Sequence, residues 1–325
     1  MISVRSMLRR IPVIGRVEPS TYFVYVGFLL IFAVFAVLLR DEGFLTVSNL
    51  LNIVQETTPV TIMAIGMVFV LSAGEIDLSI GSVVAIAALL AAVVMRAHHW
   101  ALGVAAGLGA GAMVGLINGA LVAYARLPSF LVTLATMGLL AGVARWMTNL
   151  QSVPVIDTTF TSFFGSGSLF GIPSLVMWTA LAVPLGHYVY RETRFGARVL
   201  ATGDNPHAAR AAGIKVDRLR LEVLILGSTC AALAGLLYLG RIQGARYTLG
   251  ETDLLTVIAA TVVGGTRLDG GTGTVLGALI GSLLMGMLSN GLILMGLAVS
   301  EQMIIRGFII LVAIVLTLRE PHRAP

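Results

Sequence analysis

Charge is what this sequence has least of. Asp, Glu, Lys and Arg make up 11% of its 325 residues, against 57% hydrophobic residues and a mean hydropathy of +0.95, whereas a soluble domain carries roughly 25% charged residues. That excludes a soluble globular protein and places the chain in a membrane. Cysteine is nearly absent as well: Cys230, inside an apolar run, is the single one, which excludes a disulfide framework and says nothing of the redox compartment. No small-x-small cleavage pattern follows the first apolar run, which comes after the basic residues Arg5, Arg9, Arg10 and Arg16, so a retained first span is expected rather than a cleaved secretory signal. Catalytic signatures are missing too. There is no GxxxxGK(S/T), no HExxH and no GxSxG, hence nothing to cradle ATP phosphates or to support hydrolysis.

What is present is a series of apolar windows. A bilayer core about 30 Å thick needs about 20 apolar helical residues. Windows of that kind lie at 22–39, 57–73, 78–95, 100–125, 127–144, 173–190, 221–240, 254–266, 272–297 and 302–318, the eighth being short and the last containing Arg306. The expected fold is all-α, a polytopic membrane protein of about ten spans forming one transmembrane domain over 1–325, with no long soluble stretch between spans. Orientation follows the Lys/Arg bias of short loops. Residues 191–220 carry seven Lys/Arg (Arg191, Arg194, Arg198, Arg210, Lys215, Arg218, Arg220) against three acids, so this loop is expected to be cytoplasmic. Counting outward puts both termini inside, in agreement with the basic N-terminus and with Arg319 and Arg323, and puts 150–172, charged only at Asp157, outside. Small residues at four-residue spacing, as in Gly103 to Gly111 and Gly277 to Gly281, predict faces where helix backbones approach closely. His98-His99, at an expected outer boundary beside Trp100, reads as interfacial anchoring, because adjacent helical positions point about 100° apart and do not share a metal.

The stretch GEIDLSIGS at 74–82 sets two carboxylates and two glycines between apolar runs. It has a weak echo: residues 63–82 laid on 256–274 place Asp77 on Asp269 and Gly81 on Gly273, an apolar span, a Gly-rich break with one acid, then the next span. A break leaves orphan backbone groups that only protein or water can satisfy. Asp77 lies just before the next helix, so its carboxylate or the Ser79 hydroxyl is expected to accept from first-turn N–H groups, with Asp269 doing the same in the second half. Two readings of Asp77 stay open here, a capped turn between helices and the lining of a polar pathway. Glu75 is expected to face water at the membrane edge.

The 193–213 segment, TRFGARVLATGDNPHAARAAG, carries a different signal. Asn205 reads as an N-cap, Pro206 as the first helical residue, His207–Ala212 as a short Ala-rich helix and Gly213 as its terminator. Such a helix is too short to be stable alone. Caps at both ends, together with a bare alanine face around Ala208, Ala209 and Ala212, suit insertion into a partner's groove; the alternative is an ordinary solvated loop.

Together with LPSFLVTLATMG at 127–138 and IAATVVGGTRLDGGTGTVLGALIG at 258–281, these blocks make the chain resemble the permease subunits of bacterial ABC importers for ribose and related monosaccharides. The likeness spans nearly the whole chain. It implies that 191–220 is the coupling loop, with Gly203, Asn205, Pro206, Ala208, Ala209, Ala212 and Gly213 docking on a cytoplasmic ATPase. It implies a homodimer or heterodimer of permeases in a multi-pass inner-membrane assembly, surrounded by lipid and fed by a periplasmic or lipid-anchored sugar-binding protein, with no nucleic acid partner. ATP and Mg would be used by the partner, and this chain would bind no cofactor and no metal. Glu75 stands where many members have a second glycine, and Ala141 where many have an arginine, with Arg145 one turn later. A translocation pathway for a sugar should be lined by small, weakly polar side chains. Asp77, Ser79, Asn118, Thr133, Thr136 and Asn290 are the candidates, each of which could instead serve helix packing. A polyol, nucleoside or signalling sugar would suit the same machinery. An ion-coupled secondary transporter is the other class, for which only Asp77 and Asp269 offer ion sites.

Overall fold

The computed structural model describes residues 19–298, 300–305, 307, 308 and 311. Helix dominates: α1 (Pro19–Leu38), α2 (Val47–Ser72), α3 (Ile80–Met95), α4 (Trp100–Ala123), α5 (Ser129–Thr148), a four-residue α6 (Thr158–Thr161) running into a π-helical turn at Ser162–Ser166, α7 (Ser174–Glu192), α8 (Arg194–Asp204), α9 (Pro206–Ala211), α10 (Val216–Ile242), α11 (Asp253–Val263) and α12 (Val275–Leu294). Among the described residues α2, α4, α5, α10 and α12 are long and apolar enough to cross a membrane, and α3, α11 and Val24–Leu38 are shorter apolar helices. Helix is described over 300–305, but most of the last window lies outside the described residues, as do Arg5 to Arg16, Arg319 and Arg323. The strands are short pairs: β1 (Val153–Pro154) lies antiparallel to β4 (Gly244–Ala245), and β2 (Ser168–Leu169) to β3 (Ile172–Pro173).

The centre is α2 with α10. From Thr57 to Ser72 every residue of α2 is buried, the signature of a helix enclosed by others on all sides. α10 packs along α4, α2 and α3, while α12 packs along α2, α11 and α1. Without a hydrophobic force between helices in lipid, close backbone approach and interhelical hydrogen bonds hold such a bundle. Both are visible. Hydroxyl clasps join α2 to its neighbours at Thr58–Thr179 (2.8 Å), Thr61–Ser282 (2.7 Å) and Ser72–Tyr190 (2.7 Å). Along α4, Gly103, Gly107, Gly111, Gly115 and Gly119 form one ridge at four-residue spacing, pressed against α3 and α10. A Cβ at Gly115 would lie 2.6 Å from the Ile225 Cα and 2.7 Å from the Leu224 carbonyl oxygen. Gly115→Ala should therefore push α4 off α10, costing about 1–3 kcal/mol. Thermal unfolding in detergent checks this, and an unchanged midpoint would show that the helices yield freely there. The second expected packing face holds as well: a Cβ on Gly281 would collide with the Ala260 carbonyl of α11.

Candidate functional site

The break between α2 and α3 is built around backbone that has no helical partner. Gly74, at φ +78°, turns the chain out of α2, and residues 75–79 run without regular structure. The start of α5 supplies what this segment lacks: the Ile76 N–H donates to the Ser129 hydroxyl and the Leu78 N–H to the Thr133 hydroxyl, both at 3.1 Å. Asp77 is fully buried. Its Oδ1 accepts from the Ser79 N–H (2.8 Å) and hydroxyl (2.6 Å), and its Oδ2 from the Ser228 hydroxyl of α10 (3.3 Å). This corrects the expected cap. Neither Asp77 nor Ser79 reaches a first-turn N–H of α3, because the Ser79 hydroxyl is spent on Asp77 and on accepting from Asn118 Nδ2 at 3.1 Å.

From Asn118 the chain of bonds continues to α5, where the Thr136 hydroxyl donates to Asn118 Oδ1 at 2.7 Å. One relay, Ser228–Asp77–Ser79–Asn118–Thr136, thus ties α10, the break, α4 and α5 together, with Thr133 beside it. Five of the six pathway candidates meet here. Asn290 does not: it pairs with Asn49 on α2. Ser228 was absent from the candidates, although its signal is in the sequence as a polar residue beside Gly227 within an apolar run.

The caps of α9 are as the sequence indicates. Asn205 Oδ1 accepts from the His207 and Ala208 N–H groups at 3.0 Å each, Pro206 takes the first position, and Gly213 adopts φ +83°. The Ile214 N–H returns to the Ala209 carbonyl at 3.0 Å, closing the C-terminus. Two features differ. The helix ends at Ala211 with Ala212 as C-cap, and Ala209 is 4% exposed, so it packs inward and the bare face consists of Ala208, Ala211 and Ala212. Residues 194–204, within the segment expected to lie between spans, form the helix α8, capped by the Thr193 hydroxyl on the Gly196 N–H.

Where α8 ends, both breaks arrive. The Gly271 N–H donates to the Ser72 carbonyl at 3.0 Å. A Cβ on Gly203 would collide with that same carbonyl, and one on Gly270 would lie 2.9 Å from the Gly203 Cα and 3.0 Å from the Gly74 nitrogen. Only glycines permit this three-way contact. The second break matches the first in place but not in chemistry. Asp269 has a side chain 73% exposed beside Arg267 at 3.7 Å, and the cap of α12 is the Thr274 hydroxyl, on the Gly277 N–H. Asp269 therefore does not play the part of Asp77, because its side chain turns to the surface although its neighbour Gly270 is buried against Gly203.

Beside α9 opens a cleft of about 750 Å³ whose lining includes Glu75, Arg126, Ser129, Arg210, Asp217 and Arg220. Arg210 pairs with Asp217 at 2.8 Å. Glu75 is buried, against the expectation that it faces water, and the reason is Arg220: its Nε lies 2.7 Å from Glu75 Oε1, a close charge pair although the N–H is not aimed at the oxygen. Burial pushes the Glu75 carboxyl above the ordinary carboxylate range, and the Ser129 hydroxyl and Arg220 pull it only part of the way back. Folding then favours the protonated form, so this stabilisation is full below the ordinary carboxylate pKa and fades as pH rises through the raised value. Glu75→Gln should accordingly melt at a temperature that varies less than the parent's between about pH 4 and about pH 8. Identical profiles would contradict the shift. At the other end of α5, Arg145 meets Glu251 at 2.7 Å and lies over the Tyr247 ring at 5.5 Å, one turn from Ala141, whose carbonyl it also contacts.

Comparison with known proteins decides what kind of molecule this is. Residues 49–314 match the family described as branched-chain amino acid transport system / permease component. The chain belongs to this permease family. It is 38% identical to the ribose import permease protein RbsC of Escherichia coli K12 over 281 residues, covering 84% of this chain and 87% of that one. It is 35% identical to the RbsC of Bacillus subtilis over 294 residues (90% and 91% covered) and 35% identical to the L-arabinose ABC transporter permease protein AraH of Azospirillum brasilense over 293 residues (88% and 84%). No solved structure matches. Membership makes the chain a multi-pass transport protein of the bacterial inner membrane and not an enzyme, with ATP hydrolysis in a separate subunit.

Proposed function

We propose that this chain is the membrane subunit of an ATP-driven ABC importer that carries a monosaccharide, of the size of ribose or arabinose, across the inner membrane. The observation that carries the reading is the contact at Gly203. A capped helix with an exposed alanine face is joined there, through backbone alone, to the breaks that end α2 and precede α12. A partner that moves α9 moves both breaks. Through Asp77, Ser79, Asn118 and Thr136 the first break also moves α5.

In this reading the chain is one permease domain with ten spans and both termini cytoplasmic, and 191–220 is its cytoplasmic coupling loop. Two permeases, identical or paired with a related chain, sit on the ATPase, which alone uses ATP and Mg, and a sugar-binding protein delivers the substrate outside. The relatives' names favour a pentose over a nucleoside or polyol. The carboxylate Asp77, held by a backbone N–H and two hydroxyls in a buried network, serves position rather than ion coupling. A bacterial strain deleted for its own ribose permease, given this chain with its ATPase and binding protein, should grow on ribose. Growth restored only on an unrelated solute would overturn the substrate class.

A further inference from the structure

We propose that the N-terminal end of α2 carries a binding site for a neutral polyhydroxylated solute, separate from the buried relay. A pocket of about 410 Å³ opens there, lined by Glu42, Ser48, Asn49, Asn52, Gln55 and Leu294 among others, within the range of small-molecule sites. Ser48, Asn52 and Gln55, spaced by four and three, share one face of a helix long and apolar enough to cross a membrane. Polar side chains on such a face are costly against lipid and mark a water-filled cavity or a ligand path.

Along α2 the lining has one amide that is fixed and others that are free. Asn49 Nδ2 donates to the Phe44 carbonyl and to Asn290 Oδ1, both at 3.0 Å, and its Oδ1 accepts from Asn290 Nδ2 at 2.9 Å. That amide is locked, which gives Asn290 its place. One turn along the same helix, among the described residues, Asn52 engages only Arg241, through Oδ1 at 3.3 Å, and no protein partner bonds the side chains of Gln55 or Ser48. Free amides each offer a donor and an acceptor, the pairing that adjacent hydroxyls on a sugar or polyol present in reverse. Glu42 is the only charge in the lining. It disfavours a phosphate, and a single carboxylate is too little for a dedicated cation site. The ligand class rests on the importer reading above, which also places this end of α2 on the outer side.

The test uses a Ser48→Cys reporter in a Cys230→Ala background, in membranes carrying the whole importer, labelled from outside by an impermeant maleimide. D-ribose or ribitol should slow labelling several-fold, while cyclopentanol and ribose 5-phosphate should not. Adding Asn52→Leu or Gln55→Leu should raise the protecting concentration roughly tenfold, the scale of one lost hydrogen bond. Protection that ignores the hydroxyls, or labelling blocked until the assembly is dissociated, would overturn the site, the latter by showing that a second subunit covers it. Ribose uptake on the same membranes separates the failures: normal uptake without protection overturns the pocket alone, whereas loss of both overturns the importer reading with it.

Discussion

Ala208→Trp is expected to abolish ATP-driven uptake while leaving the permease folded and inserted. Ala208 is exposed among the described residues and its N–H is held by the Asn205 cap, so the substitution leaves the cap in place. In a groove fitted to alanine the indole overpacks, at about 1–3 kcal/mol per site, and a further penalty follows if the groove is desolvated around the helix. That is roughly a 5- to 150-fold loss of ATPase association, since about 1.4 kcal/mol is a factor of ten. Pull-down of the ATPase and sugar-stimulated hydrolysis in proteoliposomes measure it. Ala209→Trp is a poor substitute, because Ala209 packs inward and the change would damage the loop itself. Full assembly and normal hydrolysis in Ala208→Trp would remove α9 from the docking surface.

The second large effect belongs to Asp77. Replacing it with leucine strands the Ser79 N–H and hydroxyl and the Ser228 hydroxyl in a buried site, and each unsatisfied buried donor costs about 1–3 kcal/mol. The break would lose its shape, and with it the link to Asn118 and α5. Asp77→Asn keeps an acceptor oxygen for Ser79 and offers an NH₂ that the Ser228 hydroxyl can accept. We therefore expect near-normal thermal stability and substantial uptake for Asp77→Asn, with both lost in Asp77→Leu. A folded Asp77→Asn that transports nothing would mean that the negative charge itself is used, which would revive an ion-coupled reading.

Features set by near neighbours in the chain were readable from sequence. The Asn205–Pro206 start and the Gly213 stop of α9 depend on groups within three or four residues, and the glycine ridge of α4 follows from helical periodicity alone. Asp77, Ser79, Asn118, Thr133 and Thr136, singled out as possible pathway lining, do come together at the break, because polar groups between or within apolar runs must find partners. What failed depends on distant chain. Ala209 turns inward because α9 lies against the body of the protein, and Glu75 is buried because Arg220, far along the sequence, comes to meet it. The echo between Asp77 and Asp269 reflected the place of two breaks around Gly203 but not their burial, which no local pattern encodes. Likewise α8 was not picked out within 191–220: Gly196 and Gly203 lower its propensity, and packing against Tyr190 and Ser72 overrides that.

The central claim is that ATP hydrolysis in a partner drives sugar through this chain. The direct measurement is movement of labelled D-ribose across proteoliposomes holding the permease, its ATPase and its binding protein, with ionophores collapsing every ion gradient. Transport is expected to require ATP and the binding protein, to persist with ionophores present and to disappear in Ala208→Trp. Transport that continues without the ATPase and stops with ionophores would contradict that claim.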